Sequence, residues 1–231
     1  EASTIDATSD YLEGTYTFKA NVQKGKTYTV TVTYQGTLQT ANVNSDLTGY
    51  TLGTSDTMTT EDFTVPAIGE YIDFIISDKD TAKGRIAAVT FTKQDDKSAG
   101  EKPHIYTIGD STIANNGSWA YVMARDYAKY SQLPDIATFS NNGRGSRNLM
   151  TYYTEGILNG VLTQIRPGDY VMIGDMGTNG MGKTFENDFN YYIDACEAMG
   201  AKIILNSYSP HGAVKEYAKV YAMALVKCEN I

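Results

Sequence analysis

The residues of this chain best suited to chemistry are the tetrapeptide Gly109-Asp110-Ser111-Thr112, which follows the apolar run Ile105-Tyr106-Thr107-Ile108. Small residues at the point where a strand gives way to a helix permit a sharp turn. Such a turn presents a serine hydroxyl with main-chain N–H groups beside it. A serine hydroxyl is a poor nucleophile until a general base takes its proton, and acyl transfer through it also needs donors aimed at a tetrahedral oxyanion. Two further small-residue segments offer such donors. Gly143-Arg144-Gly145-Ser146-Arg147 supplies the Gly143 N–H, because a glycine lets the backbone approach a substrate closely. Gly177-Thr178-Asn179-Gly180 supplies the Asn179 side-chain amide. Each segment alone reads equally well as an ordinary loop. Together, at three successive strand ends, they read as one site in which Ser111, Gly143 and Asn179 surround a single atom.

The elements that must position these groups follow from periodicity. After residue 103 strands and helices alternate, with strands expected over 104–109, 136–140, 169–174 and 202–207 and helices over 118–130, 147–165, 185–199 and 215–229. Trp119, Val122, Met123 and Tyr127 fall on one helical face, which reads as core packing. Pro167-Gly168 ends the second helix and starts the next strand. A β-α-β-α alternation gives a parallel sheet covered on both faces, and ligands bind beyond the carboxyl ends of its strands, where all three small-residue segments fall.

Residues 1–95 have a different texture. Runs such as Tyr28-Thr29-Val30-Thr31-Val32-Thr33-Tyr34, Phe63-Thr64-Val65 and Ile86-Ala87-Ala88-Val89-Thr90-Phe91 alternate with period two, and Gly25, Gly36, Gly49, Gly69 and Gly84 punctuate them. Short strands without helices between them predict a small all-β sandwich, jelly-roll-like, as an accessory domain. The polar stretch ending in Pro103, residues 96–103, reads as a linker to a domain over 104–231. Tyr11, Tyr16, Tyr28, Tyr34, Tyr50 and Tyr71 include a possible sugar-stacking platform, although alternation already explains most of them as strand packing. Asp78-Lys79-Asp80 lacks the spacing of a calcium loop and reads as a solvated turn.

Composition sets the class. The chain has 231 residues, 42% of them hydrophobic, enough for a sizeable core. Its net charge is −8, of which −6 falls in residues 1–95. No basic stripe points to nucleic acid, and no apolar run approaches a membrane span. Cys196 and Cys228 both fall in expected helices and read as buried thiols. The Tyr-, Thr- and Gly-rich, Lys-poor first region leans toward a secreted protein.

Three blocks resemble the GDSL/SGNH hydrolases, and within them the rhamnogalacturonan acetylesterase type of carbohydrate esterase family twelve. They are Ile108-Gly109-Asp110-Ser111-Thr112-Ile113-Ala114, then Gly143-Arg144-Gly145-Ser146-Arg147, then Arg166-Pro167-Gly168-Asp169-Tyr170-Val171-Met172-Ile173 running into Gly177-Thr178-Asn179. The resemblance covers residues 104–231. It implies a three-layer, flavodoxin-like α/β domain, often preceded by a β-sandwich. It also implies hydrolysis of acetyl esters on a plant cell-wall polysaccharide, pectic rhamnogalacturonan or similar, outside the cell and without cofactor or metal. Ser111 would be the nucleophile, and the Ser111 N–H, the Gly143 N–H and Asn179 the oxyanion hole. Asp110 would support the turn, and with Arg144, Arg147, Thr178 and His211 it is a candidate for facing the substrate.

Two departures from the family's pattern stand out. The third block usually reads Gly-His-Asn-Asp, whereas here Thr178 replaces the His and Gly180 the Asp. The family's base lies in an Asp-x-x-His segment, and none occurs in the sequence. The two histidines are His104, at the wrong end of the sheet and expected to be structural, and His211, in Ser209-Pro210-His211-Gly212 on the correct face. His211 is either the base or a solvent-exposed turn residue. The expectation is a fragment whose missing C-terminal segment supplies Asp and His. Arg144 and Arg147 either pair with the carboxylates of a uronic-acid polymer or cap their own loop. The competing readings are a non-catalytic carbohydrate-binding protein with a degenerate hydrolase domain, and a GDSL lipase or thioesterase. An apolar acyl trough would mark the last, and the Asn-, Gly- and Arg-rich loops favour a polar substrate.

Overall fold

Residues 2–6, 15–43, 47–48, 52–78, 84–130, 136–174 and 185–206 are described by the computed structural model of the chain. It divides into two units, Glu1–Asp96 with Tyr153–Thr163 and Lys97–Tyr152 with Gln164–Ile231. Residues 153–163 thus group with the first unit although they follow the first two parallel strands in sequence.

In the first unit the alternating residues form β1 (Ala2–Asp6), β2 (Thr15–Asn21), β3 (Thr27–Val43), β4 (Leu47–Thr48), β5 (Thr54–Pro66), β6 (Tyr71–Asp78) and β7 (Arg85–Lys93). Every pairing among them is antiparallel. The expected all-β texture is present, and its strands form one hydrogen-bonded network passing through β3. The first half of β3 pairs with β5 and β7, its second half with β6 and β4. Between them the register shifts at Tyr34/Gly36. Gly36 there has φ 94°, a left-handed conformation that glycine adopts without a Cβ penalty. One face of these strands is apolar, and Val30, Val32, Tyr34, Val65, Ile72, Phe74, Ile76, Ile86, Val89 and Phe91 are almost fully buried. The Tyr34 hydroxyl donates to Glu61 Oε1 at 2.5 Å, and burial followed by that carboxylate pushes its pKa up to about 12. Of the tyrosines considered above, Tyr28 and Tyr34 are packed inside while Tyr16 and Tyr71 are exposed. Tyr11, Tyr50 and the Lys79-Asp80 pair lie outside the described residues.

The second unit contains four parallel strands, β8 (His104–Ile108), β9 (Thr138–Asn141), β10 (Tyr170–Ile173) and β11 (Lys202–Leu205), in the order β11-β10-β8-β9. Along the chain this is order 2-1-3-4. The connections reverse direction between β8 and β10, which is where an open α/β sheet makes its crevice. Register aligns the strand ends, with Ile108 level with Ile173 and Thr107 level with Asn141. Among the described residues five helices occur along the chain after β8: α1 (Ser111–Ala114), α2 (Trp119–Tyr130), α3 (Leu149–Thr154), α4 (Ile157–Leu162) and α5 (Phe185–Ala198). The helix expected over 215–229 and Cys228 lie outside the described residues, while Cys196 is a buried free thiol whose pKa burial drives far up.

Two expectations are corrected. The single helix over 147–165 is instead α3 and α4, because Gly156 takes φ 76° at the junction and breaks the ladder. In the Trp119 stripe of α2, Trp119 is 40% and Val122 37% exposed and so are not core, whereas Ala120 is fully buried; the Tyr127 side chain lies outside what the structure describes. With Met123 and Ala124 half-buried, the inward line runs through 120, 123 and 124, and a small side chain at its head lets the helix lie close.

Candidate active site

Asp110 shapes the turn after β8. It is the N-cap of α1, and its Oδ1 accepts from Thr112 N and Thr112 Oγ1, both at 2.8 Å. An Asp side chain at that position satisfies a helix N–H that would otherwise lack a partner. Ser111 is therefore the first residue of α1, and it is half-buried. Among the described residues its hydroxyl makes no hydrogen bond. No general base is seated against it there.

The two neighbouring strand ends are fastened to this turn. Arg144 N donates to Gly109 O at 2.8 Å and Asn142 N to Thr107 O at 2.8 Å, so the segment after β9 continues the ladder alongside the nucleophile. On the other side Gly174 N donates to Ile108 O at 2.8 Å. Gly143 is buried against α1, and a methyl at its Cα would lie 2.7 Å from Ala114 N and 3.0 Å from Ala114 Cα. Gly145 comes next to the nucleophile itself, its would-be Cβ 3.9 Å from Ser111 Cβ. Tyr152, fully buried, donates its hydroxyl to Asn142 O at 2.6 Å and so supports the segment from beneath.

Asn141 ties these pieces together. Its Nδ2 donates to Ile113 O at 2.8 Å and its Oδ1 accepts the Gly143 N–H at 3.0 Å. The Gly143 amide, expected to face an oxyanion, is thus engaged by a protein acceptor. The other expectations fare differently. Asp110 is fully buried and committed to the cap, which corrects its assignment as a substrate-facing residue. Arg144 is exposed. Arg147 is half-buried and donates from Nη1 to Gly145 O at 2.9 Å, so it caps the loop, one of the two roles open to it. Thr178, Asn179, Gly180 and His211 lie outside the described residues.

His104 occupies the opposite end of β8 from Ser111. Its ring nitrogens are 2.6 Å from Thr138 Oγ1 and 2.8 Å from Ser140 Oγ, and its ring lies 4.2 Å from that of Tyr106. Burial holds its pKa below the usual histidine range. It is a structural residue, as its place in the sequence predicts. Sequence reasoning missed Asn141 and Ser146. The signal for Asn141 was available, since an Asn at a strand end bonds the backbone two residues on. Ser146 is the one non-glycine residue with positive φ among the described residues, at 62°, and nothing in its side-chain type announces that.

No family model matches the chain. It is 26% identical over 216 residues to “Uncharacterized esterase YxiM” of Bacillus subtilis (strain 168), covering 87% of this chain and 51% of that protein. It is 29% identical over 119 residues to “Probable rhamnogalacturonan acetylesterase YesY” of the same organism, covering 44% of this chain and 52% of that protein. The chain thus spans about half the length of the curated relatives it matches. Among solved structures it is similar to that of Bacillus subtilis YxiM, with TM-score 0.46 and 20% identity over 91% of this chain and 65% of that one. Another is a family two carbohydrate esterase from Clostridium thermocellum in complex with cellohexaose, with TM-score 0.39 and 14% identity over 99% of this chain and 85% of that one.

Proposed function

We propose that the chain is the catalytic part of an esterase of the GDSL/SGNH type that removes acetyl groups from a polysaccharide outside the cell, with a pectic rhamnogalacturonan-like polymer as substrate. One observation carries the reading: Ser111 opens α1 at the crevice between β8 and β10, partly exposed, its hydroxyl unbonded among the described residues and its Cβ beside Gly145. The names of the sequence relatives, an esterase and a rhamnogalacturonan acetylesterase, support the same chemistry.

In this reading Ser111 Oγ attacks the acetyl carbonyl carbon while a base takes its proton. The carbonyl oxygen becomes an oxyanion held by main-chain N–H groups around Ser111 and by the Asn179 carboxamide. Collapse expels the sugar hydroxyl, which recovers the proton, and leaves acetyl-Ser111. Water then repeats the sequence and releases acetate. The base comes from outside the described residues. Exposed Arg144 faces the uronic-acid carboxylates of the polymer.

Hydrolysis of p-nitrophenyl acetate and release of acetate from acetylated pectin, by the full-length protein and its Ser111→Ala variant, test this. The variant is expected to lose nearly all of the rate. Equal rates would eliminate Ser111 chemistry, and rates at the uncatalysed background for both would leave a carbohydrate-binding protein without catalysis.

A further inference from the structure

The amide that glycine spacing assigns to the oxyanion hole from the loop after β9 is already engaged. Gly143 N–H already has an acceptor, Asn141 Oδ1, and its Cα is pressed onto the α1 backbone. Arg144 N–H is likewise engaged, by Gly109 O, and the two amides after it are not. Among the described residues neither Gly145 N–H nor Ser146 N–H donates to any protein group. Gly145 and Ser146 form a turn, and φ 62° at Ser146 with no left-handed φ at Gly145 is the signature of the third position of a type II turn. The peptide between them is held by one side chain, because Arg147 Nη1 fixes the Gly145 carbonyl. In a planar trans peptide the carbonyl and the following N–H point in opposite directions. Arg147 therefore turns the Ser146 N–H to the other side of a turn whose Gly145 lies against Ser111 Cβ.

We propose that the Ser146 N–H, aimed by the Arg147–Gly145 hydrogen bond and by the left-handed conformation of Ser146, is the main-chain donor that this loop gives to the oxyanion formed at Ser111. The inference rests on Ser111 being the nucleophile. A serine bears a steric cost in the left-handed region that a glycine would avoid. Such an outlier is retained where the surrounding structure over-determines it, and Asn141, Arg147 and Tyr152 do so here. Asn141 and Arg147 are positioning residues in this scheme: one seats Gly143, the other orients the reacting amide.

The test removes the Ser146 N–H, and it also turns the Gly145 carbonyl into an ester carbonyl, a weaker acceptor for Arg147 Nη1. Ser146→Ala is compared with the same full-length protein carrying lactic acid, the ester counterpart of alanine, at position 146. The expected result is a fall in kcat on the order of 10²–10³ from amide to ester, with KM nearly constant because the bond is made only as charge develops on the oxygen. The thermal midpoint should fall only by the weakening of the Arg147–Gly145 bond, since the N–H has no protein acceptor among the described residues. A kcat ratio near one overturns the proposal. A larger kcat loss from glycolic acid at position 143 hands the role back to Gly143 and also overturns it. Ser111→Ala at the wild-type rate, by contrast, brings down the nucleophile reading itself, which the 146 comparison alone would not do.

Discussion

The same chemical change made two residues apart should have opposite consequences in the loop after β9. Gly143→Ala places a methyl 2.7 Å from Ala114 N, 3.0 Å from Ala114 Cα and 3.0 Å from Ile113 Cγ2. Two of those three atoms are backbone, so no rotamer change relieves the contact, and α1 or the loop must shift. Overpacking of this kind costs about 1–3 kcal/mol. The rigidity of the neighbours puts Gly143→Ala at about 2–3 kcal/mol, or about 4–12 °C in Tm for a chain of this size. Gly145→Ala meets Ser111 Cβ at 3.9 Å, an ordinary contact, and its φ lies outside the left-handed region. A compatible Gly→Ala change adds about 0.4–1 kcal/mol by restricting the unfolded chain. Its methyl nevertheless rests beside the nucleophile, so kcat/KM for an acetyl ester should fall about tenfold or more while stability is kept. Thermal unfolding followed by circular dichroism, with p-nitrophenyl acetate turnover on the same samples, separates the two. A Gly143→Ala protein as stable as wild type would refute the seating of this loop on α1.

Three further outcomes follow from buried polar groups. Asp169 is fully buried and accepts from His104 N at 2.8 Å, Arg166 N at 2.9 Å and Arg166 Nε at 3.3 Å. Asp169→Ala leaves those donors unpaired and should cost about 3–5 kcal/mol in urea unfolding; a loss below 1 kcal/mol would contradict the role given to this carboxylate. Asn159 is 3% exposed and neither its Oδ1 nor its Nδ2 has a partner among the described residues. Replacing it with Leu, close in volume and without polar atoms, should stabilise by about 1–3 kcal/mol and raise Tm; a lowered Tm would mean the carboxamide is bonded. His104 is held neutral by burial, its folded pKa lying below its unfolded value. Above the usual histidine range neither state binds the proton, so stability there is independent of this group. As pH falls through the unfolded value toward the folded one, the unfolded chain binds more protons and stability declines. Unfolding midpoints from pH 8 to pH 5 should show that decline in wild type and a flatter profile in His104→Gln.

Much of the second unit was legible because its signals are local. The apolar run before Gly109, the Pro167-Gly168 break and the parallel alternation specify four strands, all found within a residue or two of their expected bounds. What escaped was decided by tertiary geometry. The helix α1 is a single turn created by the Asp110 cap, too short for any periodicity to announce. The inward face of α2 was misread because hydrophobicity favoured Trp119 and Val122, whereas close approach to the sheet favours Ala120. Gly156 breaks a helix that its neighbours would have continued. In the site, residue types identified Ser111 and the glycine-rich loop. They could not say which amide of that loop is free, because this depends on where the Asn141 carboxamide points.

The shared strand of the first unit has a consequence for how that unit fails. Thr27–Val43 pairs in turn with β5, β7, β6 and β4, so among the described residues the two groups of strands are joined through this one ribbon. Deuterium uptake along this ribbon should therefore proceed through one opening event rather than by fraying of either half. A cut or a proline placed near its middle would dissolve both halves together, which makes this stretch the least tolerant of insertion in the all-β unit.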